Sequence, residues 1–218
     1  MTAVAIFVKT PGLSPIKTRL ARTIGQSAAE VCYQKSAACV LDIVQSSSLN
    51  AYWAVAEAEA LKHSRWQSLP CINQGEGSLG ARMYRVHTEL LHKHGSAMLI
   101  GADLPQISQE DLLSASDWLQ SDQPRSVLGP ACDGGFWLYG ANYAHDESAW
   151  TSLPYSQPDT AERFIQAMPG GEWKQLSTRC DIDQFDDILR VVDELRHLAR
   201  PSDSQQNLAR WLSELGNG

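Results

Sequence analysis

Residues 98–105, with the sequence Met-Leu-Ile-Gly-Ala-Asp-Leu-Pro, limit the possible folds more than any other stretch. Apolar and small residues lead into a single carboxylate, Asp103, and Pro105 then prevents the strand from continuing. This pattern is typical of a buried strand that delivers one acid to the carboxyl edge of a sheet, where open α/β folds bind ligands. An acid after a strand can also be a plain turn residue or a helix cap. The next helix is predicted to begin near Ser108, so Asp103 is not needed as its cap, and we predict that it is catalytic.

Apolar runs and turn signals divide the chain into alternating strands and helices, which favours a mainly parallel sheet covered on both faces. The predicted strands are 3–8, 51–56, 71–73, 97–101, 127–129, 136–139 and 173–176. The predicted helices are 27–45, 58–66, 81–94, 108–119, 159–168, 185–199 and 204–215. The first of these helices carries a capping-box pattern at Ser27–Glu30, and 9–21 is predicted to be a loop. The hairpin-like pattern of 127–139 indicates that the sheet is mixed. We therefore predict an α/β fold, with a three-layer α/β/α sandwich around a mixed, mainly parallel sheet.

Length and charge limit the organisation and the partners of the chain. The 218 residues, 43% of them hydrophobic, suit a single domain over 1–218. The net charge of -7 argues against a nucleic-acid partner, because such proteins normally present a basic face. Since no apolar run approaches the roughly 18 residues of a membrane span, none is expected.

The cysteines and histidines give no sign of a disulfide scaffold or a zinc site. The five cysteines are widely spaced and lack a Cys-x-x-Cys pair, so we expect them all to be reduced, in a cytoplasmic protein. His87, His92 and His94 lie on or near one predicted helix and form no metal-binding pattern, so they are expected to face solvent.

A cluster of cations follows the first strand in an otherwise acidic chain. Lys9, Lys17 and Arg19 share one short loop, in which Gly12 allows close approach of the backbone to a ligand. Positive side chains before a helix form a good seat for phosphate groups. The loop is not a Walker P-loop, because Ile16 stands where the second glycine of that motif is required. A solvated basic loop is the alternative.

A second loop, at 74–80, is rich in glycine. Gly75, Gly77, Leu79 and Gly80 are predicted to wrap the ring or phosphates of a donor nucleotide. The alternative is a flexible surface turn, which a glycine cluster alone favours.

A tight turn at 131–135 leads into an aromatic strand. Asp-Gly-Gly is ordinary hairpin chemistry, and a plain hairpin is the alternative reading. The functional hypothesis places Asp133 at the rim of a cleft as the candidate general base. Gly134, Gly135, Phe136 and Trp137 would then contact an acceptor.

A late acidic segment offers partners for Asp103. Asp181 and Asp183 are two residues apart, so on an extended segment both carboxylates point to the same face, with Ile182 on the other. If the chain turns at Asp183, only one of them faces Asp103. Mg²⁺ takes oxygen ligands, usually one or two carboxylates plus substrate phosphates. Asp186 and Asp187 are expected in the first turn of the following helix.

These motifs occur in an order that resembles a bacterial family with a glycosyltransferase-A-like fold, described as arsenosugar-biosynthesis glycosyltransferases. The matching segments are 6–12, 15–21, 74–80, 100–105 and 129–138, together with Asp183. More distantly, the chain is similar to 2-phospho-lactate guanylyltransferase and the molybdenum-cofactor guanylyltransferases. The family usually has an acid where Ser78 stands, and Asp-Thr-Pro-Glu-Asp-Leu where this chain has Asp-Gln-Phe-Asp-Asp-Ile at 183–188.

The resemblance implies a nucleotide-diphospho-sugar-transferase-like fold and a role for each motif. It implies that Lys9, Lys17 and Arg19 hold the nucleotide phosphates, and that Asp103 and Asp183 bind Mg²⁺ or Mn²⁺. It is also the reason for preferring Asp183 to Asp181.

Three functions follow as hypotheses. The first is a metal-dependent transferase with a nucleotide-activated donor, a nucleotide-sugar glycosyltransferase acting on a small-molecule acceptor. The second is a guanylyltransferase-like nucleotidyltransferase acting on a phosphorylated small molecule. The third is a non-catalytic nucleotide-binding module, which would not need two metal-binding carboxylates. The oligomeric state stays open.

Overall fold

A seven-stranded mixed sheet forms the centre of the computed structural model, which describes residues 1–216. The strands are β1 (Ala3–Val8), β2 (Asn50–Val55), β3 (Cys71–Asn73), β4 (Ala97–Gly101), β5 (Arg125–Pro130), β6 (Phe136–Ala141) and β7 (Glu172–Gln175). Their order in the sheet is β3-β2-β1-β4-β6-β5-β7. The predicted mixed, mainly parallel sheet is confirmed.

The strand directions bring distant loops to one edge of the sheet. Strand β1 lies parallel to β2 and β4, with Phe7 opposite Gly101. Strand β6 is antiparallel to both β4 and β5, whereas β5 is parallel to β7. The carboxyl ends of β1, β4, β5 and β7 and the amino end of β6 therefore meet at the same edge. The segments that follow or precede these ends include Lys9, Asp103, Asp133 and Asp181.

Helices cover both faces of the sheet. They are α1 (Thr18–Ile24), α2 (Gln26–Ser46), α3 (Leu79–His94), α4 (Gln109–Leu119), α5 (Glu147–Thr151), α6 (Thr160–Ala167), α7 (Asp187–Arg196) and α8 (Asp203–Gly216). Helices α2 and α4 share one buried cluster with the sheet, and α3, α5 and α6 share another. Alternate residues of β1 enter the two clusters, with Val4 and Ile6 on one face and Ala3 and Ala5 on the other. The predicted three-layer sandwich is confirmed.

The last two helices form a further cluster behind α2. Leu195 on α7 and Leu212 on α8 are buried with Cys32 and Cys39 of α2, in a cluster that also holds Ile182. Because Ile182 belongs to this cluster, the packing holds in place the acidic segment that carries Asp181 and Asp183. The predicted position of Asp187 in the first turn of a helix is confirmed, whereas Asp186 precedes that turn as the N-cap residue.

Several predicted boundaries are wrong. The 9–21 loop ends early, because α1 begins at Thr18. Helix α2 begins at Gln26 after Gly25 and has no side-chain cap, so the capping box at Ser27–Glu30 is wrong. The predicted 58–66 helix is two short 3₁₀ turns. The small helix α5 was not predicted at all. The predicted start of a helix near Ser108 is confirmed, and the structure shows that Ser108 and Asp111 form a capping box there.

The predictions of five reduced cysteines and of solvent-facing His87 are also wrong. Cys132 and Cys180 form a disulfide whose Cα atoms lie 4.9 Å apart, and Cys32, Cys39 and Cys71 are free. The two bonded cysteines are 48 residues apart in sequence, so spacing alone gave no sign of the pair. The bond removes the support that reduced cysteines gave to a cytoplasmic location.

His87 is 1% exposed, because it lies on the inner face of α3 against Tyr139 and Trp150. None of the helices within residues 1–216 is both long and apolar enough to cross a membrane.

Candidate functional site

A buried lysine between two carboxylates forms the centre of the site. The Nζ of Lys17 lies 3.0 Å from Oδ2 of Asp103 and 3.5 Å from Oδ2 of Asp181. The lysine side chain is 5% exposed, whereas the two acids are 35% and 30% exposed. Lys17 immediately precedes α1 and adopts left-handed backbone angles, with φ of 45°. Such angles are unfavourable for a residue other than glycine and often mark a functional position.

One ammonium group is shared by these two acids, so their pKa values move apart. Burial opposes the charged form of Lys17, but Asp103 and Asp181 outweigh this and raise its pKa. Burial alone would raise the pKa of Asp103, yet Lys17 holds it below its usual value. Burial, followed by the charge of Asp103, raises the pKa of Asp181 to about 6. Asp181 therefore holds its proton more tightly than an ordinary aspartate does, and such a perturbed acid often marks a functional site.

A second ion pair lies beside the first. Arg19 Nη1 donates to Asp183 Oδ2 at 2.6 Å, and this hydrogen bond raises the pKa of Arg19. Lys17 and Arg19 therefore face Asp181 and Asp183, so the two carboxylates point toward the same loop, as the spacing predicted. Ile182, between them, is fully buried in the opposite direction. The pairing of Asp103 with Asp183 as metal ligands stays a prediction, and Asp181 is the acid that shares Lys17 with Asp103.

Gly101, which has no side chain, leaves room for the carboxylate of Asp103. A Cβ atom on Gly101 would lie 2.8 Å from Oδ1 of Asp103, because the carboxylate folds back over the end of β4. A larger residue at 101 would displace that carboxylate. The requirement for glycine is therefore steric here, since Gly101 does not have a positive φ.

Two glutamines hold the loop that follows β4. Gln205 of α8 donates from Nε2 to the carbonyl oxygens of Pro105, at 2.7 Å, and Ile107, at 2.9 Å. Gln106 donates from Nε2 to the carbonyl oxygen of Cys180 at 2.7 Å. Both glutamines are at most 1% exposed. The C-terminal helix and the acidic segment are thus connected to the Asp103 loop through buried amides.

A cavity of about 670 Å³ lies on the β1 side of Asp103, and we call it the donor cavity. Its lining carries three cationic residues, Lys9, Lys17 and Arg82, together with the buried Gln74. The Gln74 side chain donates to main-chain oxygens of β1 and β2 and so holds the floor in place. The remaining predicted donor residues in this lining are Gly77 and Leu79, with the metal-ligand candidates Asp103 and Asp183.

The glycine-rich loop beside the donor cavity is ordered by arginines. Gly75 and Gly77 have φ values of 74° and 106°, which side-chain-bearing residues rarely adopt. Arg85 Nη1 donates to the Gln74 carbonyl at 2.6 Å, and Arg82 Nε donates to the Gly77 carbonyl at 3.1 Å. The loop ends at Ser78, which caps α3 by accepting from the Ala81 amide.

A second cavity, of about 250 Å³, lies on the β6 side of Asp103, and we call it the acceptor cavity. Asp133, Gly135, Phe136 and Trp137 line it, and their predicted role toward an acceptor, after which the cavity is named, stays a prediction. The turn is shaped by Asp133, whose Oδ1 accepts from the Gly135 amide at 2.9 Å. Further lining residues come from three other parts of the chain: Met83, Tyr155, Ser156, Thr160 and Asp181.

The two cavities meet at residues that line both. These are Phe7, Leu79, Gly101 and Asp103. A larger cavity of about 1110 Å³ lies between α2, α4 and the α7–α8 connection and contains none of the predicted site residues. We therefore take the pair that shares Asp103 as the candidate site.

Some predicted residues lie outside both linings, and some lining residues were missed. Predicted site residues outside the linings are Gly12, Arg19, Gly75, Gly80 and Gly134. Gly80 belongs to the first turn of α3, where a Cβ would lie 2.1 Å from the Trp150 carbonyl oxygen, so its role is packing.

Arg82 and Tyr155 were not among the predicted site residues. Position 82 follows the glycine-rich loop, which was a usable signal. Tyr155 had none.

The oxygen donors around Asp103 fit a hard divalent cation. Within residues 1–216, no group of three or more Asp, Glu, His or Cys side chains is placed to hold a metal ion alone. Mg²⁺ sites often use only one or two carboxylates and take the remaining ligands from substrate phosphates and water. Asp103 and Asp181 share a single ammonium, which leaves carboxylate oxygens free for such a cation. Asp103, with one of the two acids Asp181 and Asp183, would supply the one or two carboxylates that such a site needs.

Residues 39–157, more than half of the chain, match the family described as "Uncharacterized protein conserved in bacteria (DUF2064)". The chain belongs to this family. No curated protein matches the sequence of this DUF2064 member.

Solved structures match the DUF2064 fold at low sequence identity. The "putative nucleotide-diphospho-sugar transferase" of Desulfovibrio desulfuricans G20 has 21% identity and a TM-score of 0.82, with 99% of this chain and 96% of that chain covered. The 4-diphosphocytidyl-2C-methyl-D-erythritol synthase of Anaerococcus prevotii DSM 20548 has 11% identity and a TM-score of 0.53, with coverage of 87% and 93%. A "putative glucose-1-phosphate thymidylyltransferase" of Bacillus anthracis has 7% identity and a TM-score of 0.52, with coverage of 94% and 99%. These similarities establish the nucleotide-diphospho-sugar-transferase-like fold.

Proposed function

We propose that this DUF2064 protein is a metal-dependent transferase that uses a nucleotide-activated donor, and that the donor is a nucleotide sugar. The observation that carries the proposal is the junction of two cavities at Asp103, one of them lined by cations. A transferase needs two substrates to meet at one point, and a diphosphate needs positive charge. The names of the structural relatives support a nucleotide-using enzyme. We propose that a single domain over 1–218 carries this function; residues 217–218 lie outside the described part of the chain.

The donor diphosphate would lie in the donor cavity. Lys9 and Arg82 would bind its phosphate oxygens through charge-assisted hydrogen bonds. The ammonium of Lys17 would face the charge that develops on the leaving diphosphate, where preorganised donors are most effective. A divalent cation, Mg²⁺ or Mn²⁺, held by Asp103 and Asp183 would supply Lewis-acid stabilisation of the same leaving group. The backbone of Gly77 and the side chain of Leu79 would contact the nucleoside.

The acceptor would lie beside the aromatic turn. Asp133 lines the acceptor cavity and is the proposed proton acceptor for an attacking hydroxyl group. Phe136 and Trp137 would form the wall against which the acceptor is positioned. The arsenosugar and guanylyl specificities suggested by the resemblance stay predictions.

A thermal-shift screen of nucleotides and nucleotide sugars, with Mn²⁺ or with chelator, tests the proposal. A ligand that binds the folded state raises the apparent stability, so at least one nucleotide sugar should raise the Tm in Mn²⁺. Lys9→Ala and Arg82→Ala should each weaken its binding about tenfold, because each removes one phosphate contact. Arg22→Ala is the matched control, since Arg22 is an exposed cation on α1 outside both linings. A screen in which no nucleotide binds would refute the proposal.

Product analysis separates transfer of the sugar from transfer of the nucleotide. Glycosyl transfer releases a nucleoside diphosphate or monophosphate, whereas nucleotidyl transfer from a nucleoside triphosphate releases pyrophosphate. We expect no pyrophosphate. Tight binding of a nucleotide sugar without turnover of any acceptor would instead favour the non-catalytic module.

A further inference from the structure

The two cavities at Asp103 differ in charge. Lys9, Lys17 and Arg82 line the donor cavity. Among the described residues, the lining of the acceptor cavity contains no lysine, arginine or histidine, but three carboxylates, Asp103, Asp133 and Asp181. Positive charge is therefore confined to one side of the junction.

The cations next to the acceptor cavity are paired with carboxylates. Arg19, whose charge also reaches Asp133 and Asp181, donates to Asp183 at 2.6 Å. Lys17 contacts Asp103 and Asp181 and lines the donor cavity instead. Arg179, which lies near the Trp137 ring, directs Nη2 to Asp111 at 2.7 Å.

The start of α6 borders the acceptor cavity, but its amides are also used. The Thr160 amide donates to the Gln157 carbonyl at 3.1 Å, and the Ala161 amide donates to the Gly134 carbonyl at 2.8 Å. Its first turn adds a further negative charge, Glu162.

The rest of the acceptor cavity is apolar and aromatic. Phe7, Met83 and Phe136 contribute apolar surface, and Tyr155 presents its ring while its hydroxyl donates to the Trp150 carbonyl at 2.8 Å. Flat rings suit the apolar face of a sugar or an aromatic group. The hydroxyl of Ser156, which is exposed at the rim, adds a neutral polar contact.

From this partition of charge we infer that the acceptor is an uncharged or cationic molecule that carries hydroxyl groups and a flat apolar face, and that it is not a phosphorylated molecule. The inference rests on the proposed function, because it names the second substrate of that same site. A phosphate dianion would meet Asp133 and Asp181 with no lysine or arginine in the described part of the lining, and the proposed cation on Asp103 and Asp183 would already be bound by the donor diphosphate. A hydroxyl nucleophile on a neutral body would meet the same carboxylates as hydrogen-bond acceptors.

Ligand-observed NMR with three probes that share a benzene ring tests the inference. The probes are phenyl β-D-glucopyranoside, which is neutral, tyramine, which is cationic, and phenyl phosphate, which is anionic. In the acceptor cavity the glucoside and tyramine should each bind at least about tenfold more tightly than phenyl phosphate, because the phosphate is repelled by the carboxylates at close range. A probe is assigned to the acceptor cavity if Phe136→Ala weakens its binding. It is assigned to the donor cavity if Arg82→Ala weakens its binding.

A charge variant provides a second measurement that does not remove packing. Ser156→Arg adds a cation at the exposed rim and should raise the affinity for phenyl phosphate about tenfold. Ser152→Arg adds the same charge at an exposed position outside the acceptor lining and should not. Phenyl phosphate that binds the wild-type acceptor cavity as tightly as the glucoside would overturn the inference. A cavity that takes none of the three probes would overturn it as well.

Nucleotide binding in the same samples reports separately on the proposed function. If nucleoside diphosphates fail to bind the donor cavity, the proposed function is wrong, whatever the charge preference of the acceptor cavity. If they bind and phenyl phosphate is preferred over the neutral probe, only the acceptor assignment is wrong.

Discussion

Replacing Lys17 by methionine should destabilise the protein by leaving two carboxylates without their counter-ion. Methionine keeps the length and apolar volume of the side chain, so the change isolates the charge. Removing one partner of a fully buried ion pair costs about 3–5 kcal/mol. Asp103 and Asp181 are 35% and 30% exposed and keep part of their hydration. We therefore expect a loss of about 2–3 kcal/mol in the free energy of unfolding at pH 7.5.

The loss should shrink as the pH falls. In the wild type Lys17 lowers the pKa of Asp103, so this pair stabilises the protein above the ordinary pKa of an aspartate and less below it. In Lys17→Met, burial raises the pKa of both acids, and protonation at low pH relieves their repulsion. The deficit of Lys17→Met should therefore be smaller at pH 4 than at pH 7.5, and should disappear only below the ordinary aspartate pKa of about 4.

Urea denaturation in the presence of chelator, at pH 7.5 and pH 4, measures both effects. Lys9→Met is the matched control, because Lys9 is an exposed cation of the donor cavity. It should change stability by no more than about 0.5 kcal/mol. If Lys17→Met and Lys9→Met are equally stable at pH 7.5, or if the deficit is the same at both pH values, the electrostatic account of the site is refuted.

Three further predictions concern other parts of the molecule. Burial lowers the pKa of His87 to about 3, so protonation of this residue in the unfolded state should destabilise the wild type as the pH falls below 6.5. Between pH 7 and pH 4.5 the wild type should lose about 2–3 kcal/mol more unfolding free energy, measured by urea denaturation, than His87→Leu does. The same pH dependence of stability in both proteins would contradict this. Because the Cys132–Cys180 disulfide closes a 48-residue separation, reduction by dithiothreitol should lower the unfolding free energy by about 2–4 kcal/mol in the wild type but not in Cys132→Ser, which already lacks the bond. Gly101→Ala should displace the Asp103 carboxylate and weaken metal-dependent nucleotide binding about tenfold while the protein stays folded by circular dichroism; unchanged binding would mean that the loop adjusts without loss.

The sequence predicted those features that depend on local pattern and on strand direction. The apolar runs of β1 and β4 are long enough to identify buried strands, and parallel pairing then places Lys9 and Asp103 at one edge. The turn at 131–135 lies at the same edge of the sheet because β6, which follows it, is antiparallel to β4. These rules need no knowledge of side-chain contacts.

Features that depend on long-range packing could not be predicted. The spacing of Asp181 and Asp183 showed that both could face the site, but only the tertiary structure assigns Lys17 to one and Arg19 to the other. The disulfide joins segments whose proximity follows from the β5–β7 pairing, which the sequence does not reveal. His87 is buried because α5, which was not predicted, places Trp150 over it.

Calorimetric titration of nucleoside diphosphates, in Mn²⁺ and in chelator, measures whether Asp103 and Asp183 form a metal-dependent nucleotide site. We expect that at least one nucleoside diphosphate binds in Mn²⁺ and that chelator weakens this binding. Asp103→Asn and Asp183→Asn should each weaken it by about tenfold or more, equivalent to about 1.4 kcal/mol. Binding that depends on neither the metal nor these two carboxylates, or no binding of any nucleoside diphosphate, would contradict the proposal.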